Sequence, residues 1–280
     1  MKIQYDAPGI RVFESALFKT TSTVLETPDL ILIVDPNWLP EEVMHIRHYV
    51  DAIRNNRPLW LLFTHSDYDH IIGYGAFMDA KTIASEAFAI QTDQTAAIEQ
   101  VKKWDEAYYV ERDYPAIYPP VDLVVRQHGQ TLKSGTTELL FYPAPGHNND
   151  GLFSLVRWGE HCVWIAGDYL SDVEFPFIYH SSIDYEKTLH LAADIMEQHQ
   201  PTLLIPGHGS VTDSIKEMAQ RKADAIAYIH RLRASLQSNL PFDEEALWKQ
   251  YHFRKGQEQF HRDNTELVKK ELAGLTEKTP

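Results

Sequence analysis

The segment Leu59-Trp60-Leu61-Leu62-Phe63-Thr64-His65-Ser66-Asp67-Tyr68-Asp69-His70 constrains the fold more than any other part of the chain. An apolar run stops abruptly and delivers two imidazoles and two carboxylates within six residues. A run of that kind reads as a buried strand. Four ionisable groups carried just past such a strand need partners, because uncompensated burial of charge is costly. A bound cation is the simplest common partner, and a cation so held can make water nucleophilic near neutral pH.

Three later segments repeat the pattern. Leu139-Leu140-Phe141-Tyr142 leads through Pro143-Ala144-Pro145-Gly146 to His147; Cys162-Val163-Trp164-Ile165-Ala166 leads through Gly167 to Asp168; Leu203-Leu204-Ile205 leads through Pro206-Gly207 to His208. In each, a short apolar strand ends in a Gly or Pro turn that carries one His or Asp. Ligands on turns held by a rigid sheet are how a scaffold positions chemistry.

Seven candidates result: His65, Asp67, Asp69, His70, His147, Asp168 and His208. They are too many for one tetrahedral ion and suit two ions that share a carboxylate. In an extended loop His65 and Asp67 point the same way and can converge on one ion. A turn after Tyr68 lets Asp69 and His70 serve a second.

The rest of the sequence bounds the classes of function. The 280 residues contain 44% apolar side chains, enough for a substantial core, and no run of eighteen apolar residues. Transmembrane and signal-peptide segments are therefore not expected, and the single cysteine, Cys162, reads as a buried core thiol in a chain of the reducing cytoplasm. A net charge of −14 argues against nucleic acid as a partner. A small-molecule substrate is the expected partner, with no membrane.

The expected elements are strands over 11–14, 22–25 and 30–34, a helix over 40–55, a helix after His70 to about Asp79, a strand near Thr82 and a long polar helix over 85–110. Further helices are expected over 185–199 and 213–236. Asp263 with Glu266 reads as a capping box opening a last helix. Both halves thus run from strands to helices, which predicts two packed sheets with helices outside. We expect one domain over 1–280, with a helical, aromatic insertion at about 85–120 and a helical C-terminal segment at about 213–280. Trp104, Tyr108, Tyr109, Tyr114 and Tyr118 read as helix packing and connector, with a lid or substrate wall as the functional alternative. Asp35, at the end of another apolar strand, serves either a turn or the support of a ligand.

The order of the four segments resembles the metallo-β-lactamase superfamily, whose hallmark is His-x-His-x-Asp-His after a strand, followed by a distant His, Asp and His. The similarity spans roughly 10–211, and Thr64, Pro145-Gly146, Gly167 and Pro206-Gly207 match as well. One position departs from the hallmark: Asp67 stands where the second His belongs. Some branches also carry a carboxylate there, including the flavodiiron proteins with Glu, although no flavodoxin-like domain follows His208.

The resemblance implies an α+β, four-layer αββα sandwich of two mixed sheets flanked by helices. It implies that His65, Asp67 and His147 bind one divalent ion, that Asp69, His70 and His208 bind another, and that Asp168 bridges them. It also implies hydrolysis by water activated between the ions, with Asp69 and Asp168 as the catalytic carboxylates. Zinc is the first expectation; the harder subsite created by Asp67 makes iron or manganese the alternatives. The expected activity is hydrolysis of a small ester, lactone, thioester or phosphodiester. An iron-dependent oxidoreductase and a non-catalytic sensor with a degenerate site are the two other readings. Tyr169 and the loop Phe175–Tyr179 are expected as substrate walls. His180 and His261 are the remaining histidines within possible reach of substrate; His45, His48 and His161 read as structural.

Overall fold

Alternation of inward and outward apolar residues along short strands builds two sheets in the computed structural model, which describes residues 1–276. The first sheet has seven strands in chain order: β1 (Lys2–Ala7), β2 (Ile10–Glu14), β3 (Thr21–Glu26), β4 (Ile31–Val34), β5 (Leu59–Leu62), β6 (Lys81–Ser85) and β7 (Leu123–Val125). β1 to β4 pair antiparallel, and β4 to β7 pair parallel. The second sheet contains β8 (Gln130–Ser134), β9 (Thr137–Pro143), β10 (Leu152–Trp158), β11 (His161–Ile165) and β12 (Leu203–Ile205), in the order β12-β11-β10-β9-β8. Only the β11–β12 pair in it is parallel.

The two sheets pack face to face. Leu32 and Val34 of β4 and Leu62 of β5 meet Leu139 and Phe141 of β9, Val156 of β10 and Ile165 of β11 in one buried cluster. Ile31, Ile33 and Leu61 point the other way, onto Val43, Ile46 and Val50 of α1 (Pro40–Ile53). On the far side, Phe153, Leu155 and Trp164 pack under Leu189 of α5 (Ser182–His199) and Met218, Tyr228 and Ile229 of α6 (Ile215–Ser238). Strands covered on both faces need nearly continuous apolar sequence, which is what β4, β5 and β11 have. The result is the expected four-layer αββα sandwich. Cys162 is buried, as expected. Among the described residues, no helix is long and apolar enough to cross a membrane.

Several elements differ from the sequence-based expectation. The helix after His70 is shorter: α2 (Tyr68–Ile71) is followed by a 3₁₀ turn at Tyr74–Phe77. The long helix of 85–110 is broken into α3 (Glu86–Ala89), capped by Ser85, and α4 (Gln94–Tyr108), capped by Asp93. Asp93 accepts a hydrogen bond from Ala96 N, so a side chain that satisfies a helix start also interrupts the helix before it. Asp263 and Glu266 open no helix. They lie inside α8 (Arg254–Thr276), which follows the short α7 (Glu244–Gln250). Trp104 packs on Trp38 with centroids 4.7 Å apart, and Tyr118 packs on Phe88 at 5.0 Å. Most of the aromatic segment is therefore packing; Tyr108 and Tyr109 are its exposed members.

Candidate metal centre

Parallel pairing of β4 with β5 sets the ends of both strands side by side. Asp35, just past β4, accepts hydrogen bonds from Thr64 N (3.0 Å) and Thr64 Oγ1 (2.5 Å), just past β5. The same carboxylate lies 2.9 Å from His70 Nδ1. A carboxylate can only accept, so the proton sits on Nδ1 and the Nε2 lone pair of His70 is left free. Thr64 spends its hydroxyl proton on Asp35, so its oxygen accepts from His65 Nδ1 at 3.0 Å. One buried carboxylate thus orients two imidazoles, one of them through a threonine. Of the two roles considered for Asp35, the structure shows it orienting two candidate ligands.

The other imidazoles are held by main-chain carbonyls. His147 Nδ1 donates to Phe177 O at 2.8 Å, and His208 Nδ1 donates to Phe18 O at 3.0 Å. All four histidines therefore turn Nε2 toward Asp168. The Nε2 atoms of His65 and His70 and the Oδ1 atom of Asp168 have no hydrogen-bond partner there. Orphaned buried polar atoms of this kind call for an explanation.

The structure brings all seven predicted side chains into two adjoining groups: His65, Asp67, His147 and Asp168, and Asp69, His70 and His208. His147 Nε2 lies 3.1 Å from Asp67 Oδ2 and 3.3 Å from Asp168 Oδ2, while His65 Nε2 is 3.5 and 3.6 Å from the same atoms. On the other side, His70 and His208 Nε2 are 3.6 and 3.5 Å from Asp69 Oδ2, and 3.2 and 3.3 Å from the two oxygens of Asp168. Asp168 therefore faces both groups. Nitrogen and oxygen ligands about 2.0–2.2 Å from a tetrahedral ion stand about 3.3–3.6 Å from one another. The residues present fit a divalent ion in each group.

Asp67 is tied from behind by Asn148, whose Nδ2 donates to Oδ1 at 2.6 Å. That leaves Oδ2 directed at His147 and His65. Two glycines make the close approach possible. A Cβ on Gly207 would stand 2.2 Å from Asp168 Oδ1, and Gly146, at φ +137°, lies against the backbone of Tyr185.

The charges follow from this crowding. Burial pushes the imidazoles down, but the carboxylates outweigh it: Asp67 and Asp168 hold His147 at about 9, and Asp168 with Glu174 holds His208 at about 10. Conversely, burial raises Asp168, but His208, His70 and His65 hold it well below the usual carboxylate range. Burial pushes Glu174, 4.0 Å from His208 Nδ1, up to about 7.

Some expectations do not survive. Tyr169 is buried and is no substrate wall; its hydroxyl accepts from His147 N at 3.0 Å and donates to Ala144 O at 3.1 Å, fixing the turn that carries His147. Phe175, Phe177 and Ile178 are buried under the C-terminal helices, and only Tyr179 is exposed, its ring 5.0 Å from that of His147. His261 lies within α8 and is buried, with Nδ1 2.9 Å from the hydroxyl of Tyr228 in the core. His180 is exposed and faces Asp184 at 3.6 Å. Sequence reasoning missed Asn148 and Glu174, and only the adjacency of Asn148 to His147 hints at the first.

The model of the metallo-beta-lactamase superfamily matches residues 16–230. No curated protein matches the chain. Among solved structures, a metallo-beta-lactamase of Cronobacter sakazakii with a HARLDQ motif is 18% identical, with a TM-score of 0.62 over 85% of this chain and 100% of that one. A metallo-beta-lactamase family protein of Thermus thermophilus is 17% identical, with a TM-score of 0.59 over 82% and 83%. An archaeal superfamily protein of Sulfolobus tokodaii is 17% identical, with a TM-score of 0.52 over 77% and 85%. At such identities the solved structures speak for the fold alone. The family model, spanning most of the chain and all seven clustered side chains, places this protein in the metallo-beta-lactamase superfamily.

Proposed function

We propose that the protein is a metal-dependent hydrolase that binds two divalent ions, zinc first among them, and cleaves a small ester, lactone, thioester or phosphodiester. The observation that supports this most is the shared carboxylate: Asp168 faces both ligand groups, while every imidazole is turned so that Nε2 points inward. Two ions held there would lower the pKa of water and polarise the electrophile. The chain supplies the rest. His65, Asp67 and His147 would hold one ion and Asp69, His70 and His208 the other, with Asp168 facing both. Asp35, Thr64 and Asn148 fix the ligands so that little reorganisation is left for the moment of reaction. Asp69 and Asp168 would be the carboxylates at the reacting centre.

Asp67 supports a second reading, an iron-dependent oxidoreductase, because an anionic oxygen in place of an imidazole favours harder metals. Elemental analysis of protein prepared without chelator separates the two. Zinc or manganese near two ions per chain, with ester turnover abolished by Asp168→Ala and a preserved melting transition, is the expected result. Iron with oxygen uptake would replace the hydrolase reading, and turnover retained by Asp168→Ala would refute it.

A further inference from the structure

A cleft of about 710 Å³ opens beside the metal centre, between the β2–β3 loop and the start of α8. That volume is in the range of small-molecule sites. Its walls include Phe18, Phe253 and Phe260, the first two among the exposed large apolar residues of the surface. Between them stand Lys19, Arg254 and Lys255. Among the described residues neither Lys19 nor Lys255 has a carboxylate partner, and Lys19 Nζ instead lies 6.0 Å over the ring of Phe253. Arg254 pairs with Glu258 and lies over Trp248. Of the two acidic lining residues, Glu14 is held by Lys2 at 3.0 Å and by Gln4 at 2.6 Å. The other, Glu174, is the one that approaches His208. In a chain of net charge −14, unpaired cations gathered among exposed aromatics are against the general trend of the surface.

The cleft abuts the Nδ1 edge of His208 in one ligand group. Glu174 and the carbonyl of Phe18 meet His208 at 4.0 and 3.0 Å. Phe260 stands 6.3 Å from Tyr179, whose ring is 5.0 Å from His147. We infer that this cleft binds an amphipathic anion: an apolar or aromatic body on Phe18, Phe253 and Phe260, with a carboxylate, sulfate or phosphate group on Lys19 and Lys255. Under the hydrolase reading this is the substrate's non-reacting part; the ligand class itself does not depend on that reading.

Two fluorescent probes that differ only in charge test it: anilinonaphthalene sulfonate and its neutral counterpart, phenylnaphthylamine. Each is titrated into metal-loaded and chelator-treated protein at low salt. The sulfonate is expected to bind about tenfold tighter than the neutral probe with or without metal, since exposed ion pairs each contribute modestly. The double variant Lys19→Gln/Lys255→Gln is expected to lose that preference, and Phe253→Ser to weaken both probes. Lys255 and Phe253 are exposed and Lys19 is half-buried, and a melting curve checks the fold. Equal affinity for the two probes, or a preference that survives the double variant, overturns the inference. A preference that appears only with metal also overturns it, because the sulfonate is then on the ions. Lysine-dependent preference in a protein that hydrolyses no anionic ester would uphold the ligand class and count against the hydrolase reading alone.

Discussion

Replacing Asp35 by Asn should cripple metal binding although Asp35 is not among the proposed ligands. The wild-type carboxylate accepts three hydrogen bonds: from Thr64 N and Thr64 Oγ1, and from His70 Nδ1. Asn keeps one acceptor oxygen for Thr64 N and puts an amide donor where Oδ2 stood. That donor meets two groups that were themselves donating. His70 can relieve the conflict by moving its proton to Nε2, which removes the lone pair aimed at the metal. Thr64 can relieve it only by turning its hydroxyl, which then donates toward Nδ1 of His65 and drives that imidazole to the wrong tautomer as well. Loss of one supporting hydrogen bond of this kind costs about 10–100-fold in metal affinity, or about 1.4–2.7 kcal/mol. With both position His65 and position His70 affected, the upper end is expected at each subsite. The assay is competition for zinc against a chelator of known affinity, with apo-protein melting as a check on the fold. His45→Ala, on the exposed face of α1, is the control. Zinc affinity within about twofold of wild type in Asp35→Asn would show that the ligand tautomers do not depend on this carboxylate, and the reasoning would fail.

Three other substitutions or conditions follow from the same geometry. Gly207→Ala puts a methyl group 2.2 Å from Asp168 Oδ1; it should cost about 1–3 kcal/mol in melting experiments and displace the shared carboxylate, so that metal content falls in both groups. Asp67→His should raise the preference for zinc over manganese by about tenfold in competitive titrations, and an unchanged ratio would mean that Asp67 is not a ligand. For the apo protein, the raised imidazoles stabilise below their ordinary 6.5 and lose that contribution as pH rises through about 9 for His147 and about 10 for His208. The depressed Asp168 stabilises above its ordinary 3.8 and loses its share as pH falls below that. Apo melting temperature should therefore peak in the mildly acidic range and drop toward alkaline pH. Metal affinity should do the opposite and rise with pH, because each ion displaces those protons; apo stability that climbs between pH 7 and 10 would contradict the account.

Much of this site was visible in the sequence because each ligand sits at a strand end and the strands are strongly apolar. Period and hydrophobicity locate β5, β9, β11 and β12, and a turn with Gly or Pro locates what comes next. The supports were harder to see. Asp35 lies far from His70 in sequence, and only the parallel pairing of β4 with β5 makes them neighbours. Half of the imidazole anchors are main-chain carbonyls, those of Phe18 and Phe177, and a carbonyl leaves no mark in sequence. The aromatic loop misled for a related reason. Phe175 and Phe177 look like a substrate wall until α6 and α8 are placed over them, where Phe177 stacks on Phe260 at 4.1 Å and Phe175 lies 4.8 Å from Tyr228. The start of α8 was missed because Asp263-x-x-Glu266 satisfies a local capping pattern in the middle of a helix whose start is set by tertiary packing.

The charge of the site connects Asp67 to the cleft. The clustered side chains include three carboxylates, Asp67, Asp69 and Asp168, and four imidazoles that are neutral when they act as ligands. Two divalent ions would leave that set with a single net positive charge. A fourth acid stands close by: Glu174, pushed up to about 7 by burial, adds negative charge wherever it ionises. Had position 67 been histidine, as in the superfamily hallmark, the same set would carry one more positive charge and attract an anion more strongly. A centre made less cationic by Asp67 has less to offer the charged part of a substrate, and its electric field has less reach in water. An anionic substrate for such an enzyme needs its countercharge elsewhere. Lys19 and Lys255 supply it in the adjoining cleft, while Glu174 and Phe18 tie that cleft to His208. On the proposed reading, the carboxylate at position 67 and the two lysines would form one arrangement, in which the metals serve the reacting group and the lysines take the charge.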